Sequence, residues 1–478
     1  MAEGPITGAL MAQLAALAAA HPGLSGVRLV DDGSEALELR LMLMAAAQRR
    51  IDVQYYIWRD DVAGRRLLAA LVAAARRGVV VRLLLDDHGT GGLDGPLAAL
   101  AQLPGVEVRL FNAFRLRRPK WLNFVWDFSR LNRRMHNKCL VVDGLASVIG
   151  GRNIGDEYFE DAHPALAADL DVLGVGAVAA EVDADFERYW AAPAATPIAQ
   201  LVSRAGRLPE AGATPQTPWC PQDTDFDWVS VRMISDDPAK ISGQAAPAAL
   251  WLPQLLAALG PVQSRLLLVS AYFVPMDIGV DVFERLVAQG VDVQVLTNSL
   301  RSNNVALAHA GYAPARRRLL AAGVRLWEMK GRLSDRPALG LVPGPLKRSR
   351  PRNKGETTAF FRTSASALHA KTFVADGRRL FVGSMNFDPR SWRLNTEIGF
   401  LIECPAMATR VETRLAAMLP AFAWEVKLAP ARGLSRVWAG TQLFWHGRST
   451  VHAREPFTRW WQRAVLRLVG WLPVAWLL

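Results

Sequence analysis

The sequence predicts an α/β protein built from two similar halves, on three observations. A strand–helix–strand pattern occurs twice at equivalent places, a His-x-Lys motif follows each copy, and 478 residues are enough for two domains of ordinary size. In the first copy, residues 50–58 alternate as a strand and 67–77 carry helical spacing; Gly78 stops the helix and 79–85 form a second strand. The later copy repeats this with a strand at 266–274, a helix at 280–288, Gly290 and a strand at 291–296. Strands joined by helices of this length pair largely in parallel, and both copies end in polar residues, Asp86-Asp87 and Thr297-Asn298-Ser299. Ligands of such sheets lie at the strands' carboxyl ends.

The remainder divides the chain as 1–200 (first half), 201–245 (connection), 246–425 (second half) and 426–478 (basic and aromatic tail). The connection is rich in Pro, Asp, Thr and Gly and shows no sustained period. Residues 331–358 place Lys347, Arg348, Arg350, Arg352 and Lys354 among prolines and glycines, which reads as a basic loop.

Hydrophobic residues at 51% and charged residues at 21% exclude a disordered chain. A formal charge of +12 favours polyanionic surroundings: nucleic acid, anionic lipid or a phosphorylated substrate. Three widely spaced cysteines, Cys139, Cys220 and Cys404, suggest neither a disulfide framework nor a zinc site, and fit a reducing compartment. The Ala-rich run at 9–20 lacks a basic lead and ends at His21-Pro22, so it reads as a short amphipathic or packing helix rather than a secretory signal. No stretch reaches the ~18 apolar residues of a spanning helix, so membrane contact is expected to be peripheral.

The chemistry is concentrated in two segments of the form H-x-K-x4-D-x6-G-[GS]-x-N. The first supplies His136, Lys138, Asp143, Gly150, Gly151 and Asn153; the second supplies His369, Lys371, Asp376, Gly383, Ser384 and Asn386. Residues two apart on a strand share a face, so each histidine sits beside its lysine and both meet one anionic group. Two such pairs can bracket a phosphodiester. Asp143-Gly144 and Asp376-Gly377 between apolar runs also read as tight hairpin turns. A lone strand histidine is more often structural than catalytic, and an Asp-Gly pair is more often a turn than a proton carrier. Two matching motifs at equivalent places in a duplication, using two of eight histidines, are not explained by packing.

This double motif resembles the phospholipase D superfamily. The resemblance implies two α/β/α sandwich halves around one shared active site, a phosphohistidine intermediate, and no metal or other cofactor. By position, His136 matches the family's nucleophile and His369 its general acid, with Lys138, Lys371, Asn153 and Asn386 as phosphate ligands. Asp171 and Glu397 match the acidic residues that orient the histidines. Within the superfamily the chain is similar to bacterial cardiolipin synthases of the C subgroup, through Asp52-Val-Gln-Tyr-Tyr-Ile-Trp58, Asp127-Phe-Ser-Arg-Leu-Asn-Arg-Arg134, Gly150-Gly-Arg-Asn-Ile-Gly-Asp156, Ser235-Asp-Asp-Pro-Ala-Lys240, His309-Ala-Gly-Tyr312, Asn386-Phe-Asp-Pro-Arg-Ser391 and Leu472-Pro-Val-Ala-Trp-Leu-Leu478. It lacks the two N-terminal spans of the longer members.

The implied activity is phosphatidyl transfer to phosphatidylglycerol, with phosphatidylethanolamine as another candidate substrate, at the cytoplasmic face of the bacterial inner membrane. Two segments are expected to meet an anionic membrane surface. In 457–469, Arg459, Arg463 and Arg467 form a stripe beside Trp460 and Trp461; in 117–126, Arg117, Arg118 and Lys120 lie near Trp121 and Trp126. Asn304, His309 and Tyr312 are candidate headgroup contacts, with a structural role the stronger reading. Hydrolysis of the lipid, or transfer to another acceptor, is the alternative chemistry. A nuclease could use the same double motif, but the local likeness disfavours nucleic acid.

Overall fold

In a computed structural model, residues 6–159, 169–208, 219–303, 305–331, 368–430 and 441–471 are described. The basic loop expected at 331–358, except its first residue, and Asn304 lie outside them. Strands β1 (Ser25–Val30), β2 (Arg50–Ile57), β3 (Val80–Gly89), β4 (Val106–Phe111), β5 (Cys139–Val142), β6 (Ala146–Gly150), β7 (Asp171–Gly176), β8 (Ala195–Pro197) and β9 (Asp227–Val229) form one sheet. A second holds β10 (Val231–Ser235), β11 (Arg265–Ser270), β12 (Asp292–Asn298), β13 (Arg325–Met329), β14 (Lys371–Ala375), β15 (Arg379–Gly383), β16 (Ile398–Glu403), β17 (Ala423–Pro430), β18 (Thr441–His446) and β19 (Val451–His452).

The order β4-β3-β2-β5-β6-β7-β1 recurs as β13-β12-β11-β14-β15-β16-β10, so the duplication extends to whole sheets. In each, two parallel pairs connected by helices (β2-β3-β4; β11-β12-β13) adjoin antiparallel strands. The helices between the first strands of each copy, Val62–Arg76 and Met276–Ala288, begin four to five residues before the expected starts. The first is capped by Asp61, whose side chain accepts from the Gly64 amide.

The segment expected to be a connection contains strands of both sheets. β9 pairs with β1 and β10 with β16, so the chain passes from one sheet to the other at Ser230. The tail boundary at 425/426 falls within β17, and β17–β19 extend the second sheet. A single apolar core joins the halves. Val141, Ile149, Val172, Val182 and Phe186 of the first meet Val374, Leu380, Val382, Ile398 and Phe400 of the second, all buried.

The two Asp-Gly turns are equivalent. Asp143 and Gly144 have φ of 55° and 68°, and Asp376 and Gly377 have φ of 55° and 62°. Each left-handed pair makes a turn closed by one hydrogen bond, Leu145 N–H to the Val142 carbonyl (3.0 Å) and Arg378 N–H to the Ala375 carbonyl (3.1 Å), with three residues between the paired strand ends. Asp143 also accepts from the amides of Gln48 (2.9 Å), Arg49 (2.7 Å) and Arg50 (2.8 Å), and Asp376 from those of Gln263 (3.0 Å), Ser264 (2.7 Å) and Arg265 (3.2 Å). Each carboxylate thus pins the start of a neighbouring strand. Asp143→Ala is expected to lower stability by about 2–4 kcal/mol, since charged hydrogen bonds are lost and a β-carbon must remain at positive φ. Asp143→Asn, which tolerates that conformation and keeps one acceptor oxygen, should lose about half as much; urea unfolding measures both.

Candidate active site

Both motifs begin just before a central strand of their sheet, His136 ahead of β5 and His369 ahead of β14. On the first side, Asp86 in the C-terminal half of β3 accepts from Arg134 (2.6 Å) and from the Met135 amide (2.9 Å), fixing the backbone that leads to His136. On the second, Asn298 at the end of β12 donates to the carbonyls of Ala271 (3.1 Å) and Leu368 (2.9 Å), fixing the backbone that leads to His369. The polar strand ends expected to contact ligand therefore hold the motif loops. These loops are joined across the halves: the His136 amide donates to the Thr396 carbonyl (2.9 Å) and the Thr396 amide to the Arg134 carbonyl (3.0 Å).

The histidines are held by carboxylates of the opposite half. His136 Nδ1 lies 2.9 Å from Glu397 Oε2, and Ser384 Oγ donates to the same oxygen (2.5 Å). His369 Nδ1 is hydrogen-bonded to Asp169, not to Asp171 as expected. Asp171 lies on β7 and faces Arg40 (2.8 Å) and Arg152 (3.3 Å) in a buried cluster. The sheet register explains the difference. Gly150 pairs with Asp171 and Gly383 with Gly399, so Asp169-Leu170-Asp171 corresponds to Glu397-Ile398-Gly399. Asp169-Leu170 and Asp171-Val172 both read as acid then apolar residue, so the sequence pattern alone does not single out Asp169; the ladder to β6 does.

Lys138 Nζ donates to the His136 carbonyl (2.5 Å) and lies 5.5 Å from the ring centre of Tyr56; Lys371 donates to the His369 carbonyl. Asn153 Oδ1 accepts from the Ile57 amide (3.3 Å), while the buried Asn386 Oδ1 has no protein partner. The carboxylates of Asp143 and Asp376, both expected in the catalytic set, accept from the backbone amides at the starts of β2 and β11, and Asp376 also pairs with Arg379; neither is bonded to a histidine. Sequence reasoning also missed two aromatic edges. Tyr56 meets His136 (centroids 5.0 Å) and Tyr158 meets His369 (5.2 Å). His309 and Tyr312 lie elsewhere: His309 Nε2 bonds Glu455 (2.5 Å) and Tyr312 Oη donates to Glu328 (3.1 Å), around the buried Arg316.

The site concentrates positive charge out of water. Burial, Lys138, Lys371 and His369 push His136 well below its ordinary value, and burial lowers Lys138 to about 7 despite Glu397. Burial and Lys371 also lower His369, opposed by Asp169. Burial would raise Asp169, but His369, Lys371 and Arg152 hold it well below the usual carboxylate range. Burial raises Glu397 to about 7, with Lys138 and Ser384 opposing. Such a pocket suits an anion that brings charge to share, and phosphoryl transfer needs positioning and charge stabilisation of this kind.

Asp169→Asn is expected to cut phosphoryl-transfer turnover by about 10²-fold or more while the protein stays folded, because His369 loses the carboxylate that sets its tautomer. Asp171→Asn should instead destabilise by about 3–5 kcal/mol, as Arg40 is left buried beside a neutral partner. Turnover per folded molecule and thermal unfolding, measured on both variants, separate the two roles; the reverse pattern would return the orienting role to Asp171.

A family profile described as "Cardiolipin synthase, PLD-like domain" matches residues 41–190 and 255–419, which contain both motifs. The chain is 39% identical to cardiolipin synthase C of Escherichia coli, over 97% of this chain and 98% of that protein. It is 28% identical to cardiolipin synthase A of Pseudomonas entomophila, over 81% and 67% respectively. The crystal structure of phosphatidylserine synthase from Haemophilus influenzae superposes with a TM-score of 0.56 at 14% identity, covering 96% of each chain, and so shares the fold. This chain belongs to the cardiolipin synthase family with the phospholipase D-like domain.

Proposed function

We propose that this protein transfers a phosphatidyl group from a donor phospholipid to phosphatidylglycerol, forming cardiolipin through a phosphohistidine on His136. The observation that carries the reading is the pair of histidines, His136 buried and His369 half-buried, each oriented by a carboxylate of the other half and each beside a lysine. Nε2 of His136 attacks phosphorus, the bond to the donor's headgroup oxygen breaks, and His369 gives that oxygen a proton. The acceptor hydroxyl then returns a proton to His369 as it attacks phosphorus and frees His136. The dyads differ in a way that supports these roles. His136 is driven well below its ordinary value, toward the neutral, nucleophilic form, by burial and nearby cations, whereas His369, also lowered by burial and Lys371, has the ionised Asp169 opposing that shift. Lys138, Lys371, Asn153 and Asn386 neutralise and position the phosphate, so the chemistry is expected to need no divalent ion. Burial of His136 limits access of water, the competing acceptor.

The substrates place the protein at a membrane. Among the described residues no helix is long and apolar enough to cross one, so attachment is proposed to be peripheral, at an anionic surface on the cytoplasmic face. The segment 116–128 suits it. Val125 and Trp126 are 72% and 61% exposed, Leu116, Trp121 and Phe128 are also exposed, and Arg115 and Arg118 face solvent beside them. Arg117 and Lys120, expected in this patch, are instead ion-paired with Asp87 and Asp94. The inner face of this segment leads to the site: Phe124 packs on His88, His88 stacks on Tyr56, and Tyr56 meets His136. The C-terminal helix Trp460–Trp471 is partly a packing element, with Leu466 set against Leu300 and Ala310, while Trp460 and Leu468 stay exposed.

His136→Ala and His369→Ala are each expected to abolish turnover without unfolding, and label from the donor phosphate, trapped after denaturation, should lie on a peptide containing His136. Wild-type protein in vesicles of phosphatidylglycerol, with and without phosphatidylethanolamine, should convert labelled donor into cardiolipin more than phosphatidic acid, also in EDTA. Phosphatidic acid alone would make the protein a hydrolase. Trp121→Ser with Trp126→Ser should weaken co-sedimentation with phosphatidylglycerol vesicles by about tenfold or more at unchanged thermal stability, since each aromatic loses its apolar burial in the interface.

A further inference from the structure

A cavity of about 420 Å³ lies between the halves, outside the histidine–lysine constellation. Its size is that of a small-molecule site, ~300–1,000 Å³. Leu170, Leu368, Ala370, Val411, Leu415 and Met418 supply apolar wall, and the apolar lining is well in excess of the polar. Three of these residues are chain neighbours of the site: Leu170 follows Asp169, and Leu368 and Ala370 flank His369.

The duplication shows that this space is not imposed by the fold. Helix Ala177–Trp190 follows β7 as helix Pro405–Phe422 follows β16, and both lie between the sheets. In the first half, Phe186, Tyr189 and Trp190 are buried there and Tyr189 Oη donates to the Asp236 carbonyl (2.8 Å). In the second, Val411, Leu415 and Met418 are only half-buried and the cavity remains. The rim carries three arginines and three aspartates, Arg28, Arg410 and Arg414 with Asp31, Asp225 and Asp227, and Asp225 accepts from Trp219 Nε1 (3.1 Å) and the Gln222 backbone amide (2.9 Å). Arg410 pairs with Asp227, Arg414 with Asp31, and Arg28 with Glu35 outside the cavity. An occupant therefore gains nothing from bringing a charge of its own, and the lining rewards hydrocarbon.

We infer that this cavity receives an acyl chain of the phospholipid substrate, while the phosphate of the same molecule lies between the histidines. The inference rests on the lipid-transfer reading above, and names the part of the substrate that this reading leaves unplaced. Chain binding here uses apolar burial remote from the reacting phosphorus to hold the phosphodiester in register.

The test uses full-length protein with phosphatidylglycerol vesicles containing a phosphatidylglycerol that carries a photoreactive diazirine near the end of one acyl chain. Adducts are expected on the peptide containing helix Pro405–Phe422 or on the residues flanking His369, and Val411→Trp should suppress them. The same variant should lower kcat/KM for a dioleoyl donor by at least about tenfold, the loss of a few buried methylenes, and leave a dihexanoyl donor nearly unaffected. Val411→Phe, a smaller intrusion, should give the same contrast more weakly, and serves if Val411→Trp fails to fold. Adducts confined to other segments, or equal losses on both donors, would overturn the inference. Adduct map and chain-length contrast are read equally well if the product is phosphatidic acid, so failure of the synthase reading is distinguishable from failure of this one.

Discussion

Most of the architecture follows from one constraint, that each motif histidine finds its carboxylate in the other half. His136 of the first half needs Glu397 of the second, and His369 of the second needs Asp169 of the first. Neither half holds a complete pair, so both must close into one body before either histidine has a defined tautomer. The continuous apolar core between the sheets supplies that closure, and the hydrogen bonds between Thr396 and the 134–136 backbone fix its register at the site. The glycines of the motif follow from the same crowding. A β-carbon at Gly150 would stand 2.0 Å from Asp171 Oδ1, and one at Gly151 2.0 Å from Asp169 Oδ1, so a side chain at Gly151 would displace the acid that serves His369.

The second half solves this crowding differently. Glu397 is one methylene longer than Asp169, and Ser384 replaces the second glycine and donates its hydroxyl to the carboxylate. Behind Glu397, Asp236 accepts from its backbone amide (2.9 Å) and from Lys240 (2.8 Å), tying the acid to a buried ion pair. Burial of so many like charges is costly without an anion, and the lowered values of His136, Lys138, His369 and Lys371 express that cost. A bound phosphate relieves it. The site is thus organised in advance for the substrate's charge, which is how electrostatic preorganisation acts.

Beyond the repeated core, the halves have diverged. Beyond β17, the counterpart of β8, the second sheet adds β18 and β19, and Glu455 beyond β19 closes an ion network with His309 and Arg316. A conspicuous sequence feature, His309-Ala-Gly-Tyr312, is thereby used for packing and not for headgroup contact. One inter-sheet space is filled by Phe186, Tyr189 and Trp190 and its counterpart is open, so a near-symmetric scaffold presents an asymmetric surface to its ligand.

Periodicity, Asp-Gly turns and motif spacing by themselves determined the strands, the helices between them, the duplication and the two histidine–lysine pairs, because these depend on residues close together in the chain. Glu397 was legible only through the resemblance to the phospholipase D superfamily. Tertiary structure alone decided that Asp169 and not Asp171 meets His369, since a shift of two residues along one strand end leaves the local pattern unchanged and only the ladder to β6 sets the register. It likewise sent Asp143 and Asp376 to strand starts far away in sequence, and drew Arg117 and Lys120 from a surface patch into pairs with Asp87 and Asp94. Composition counts a charge but does not reveal its partner; that is decided by which distant side chains share one volume from which water has been removed.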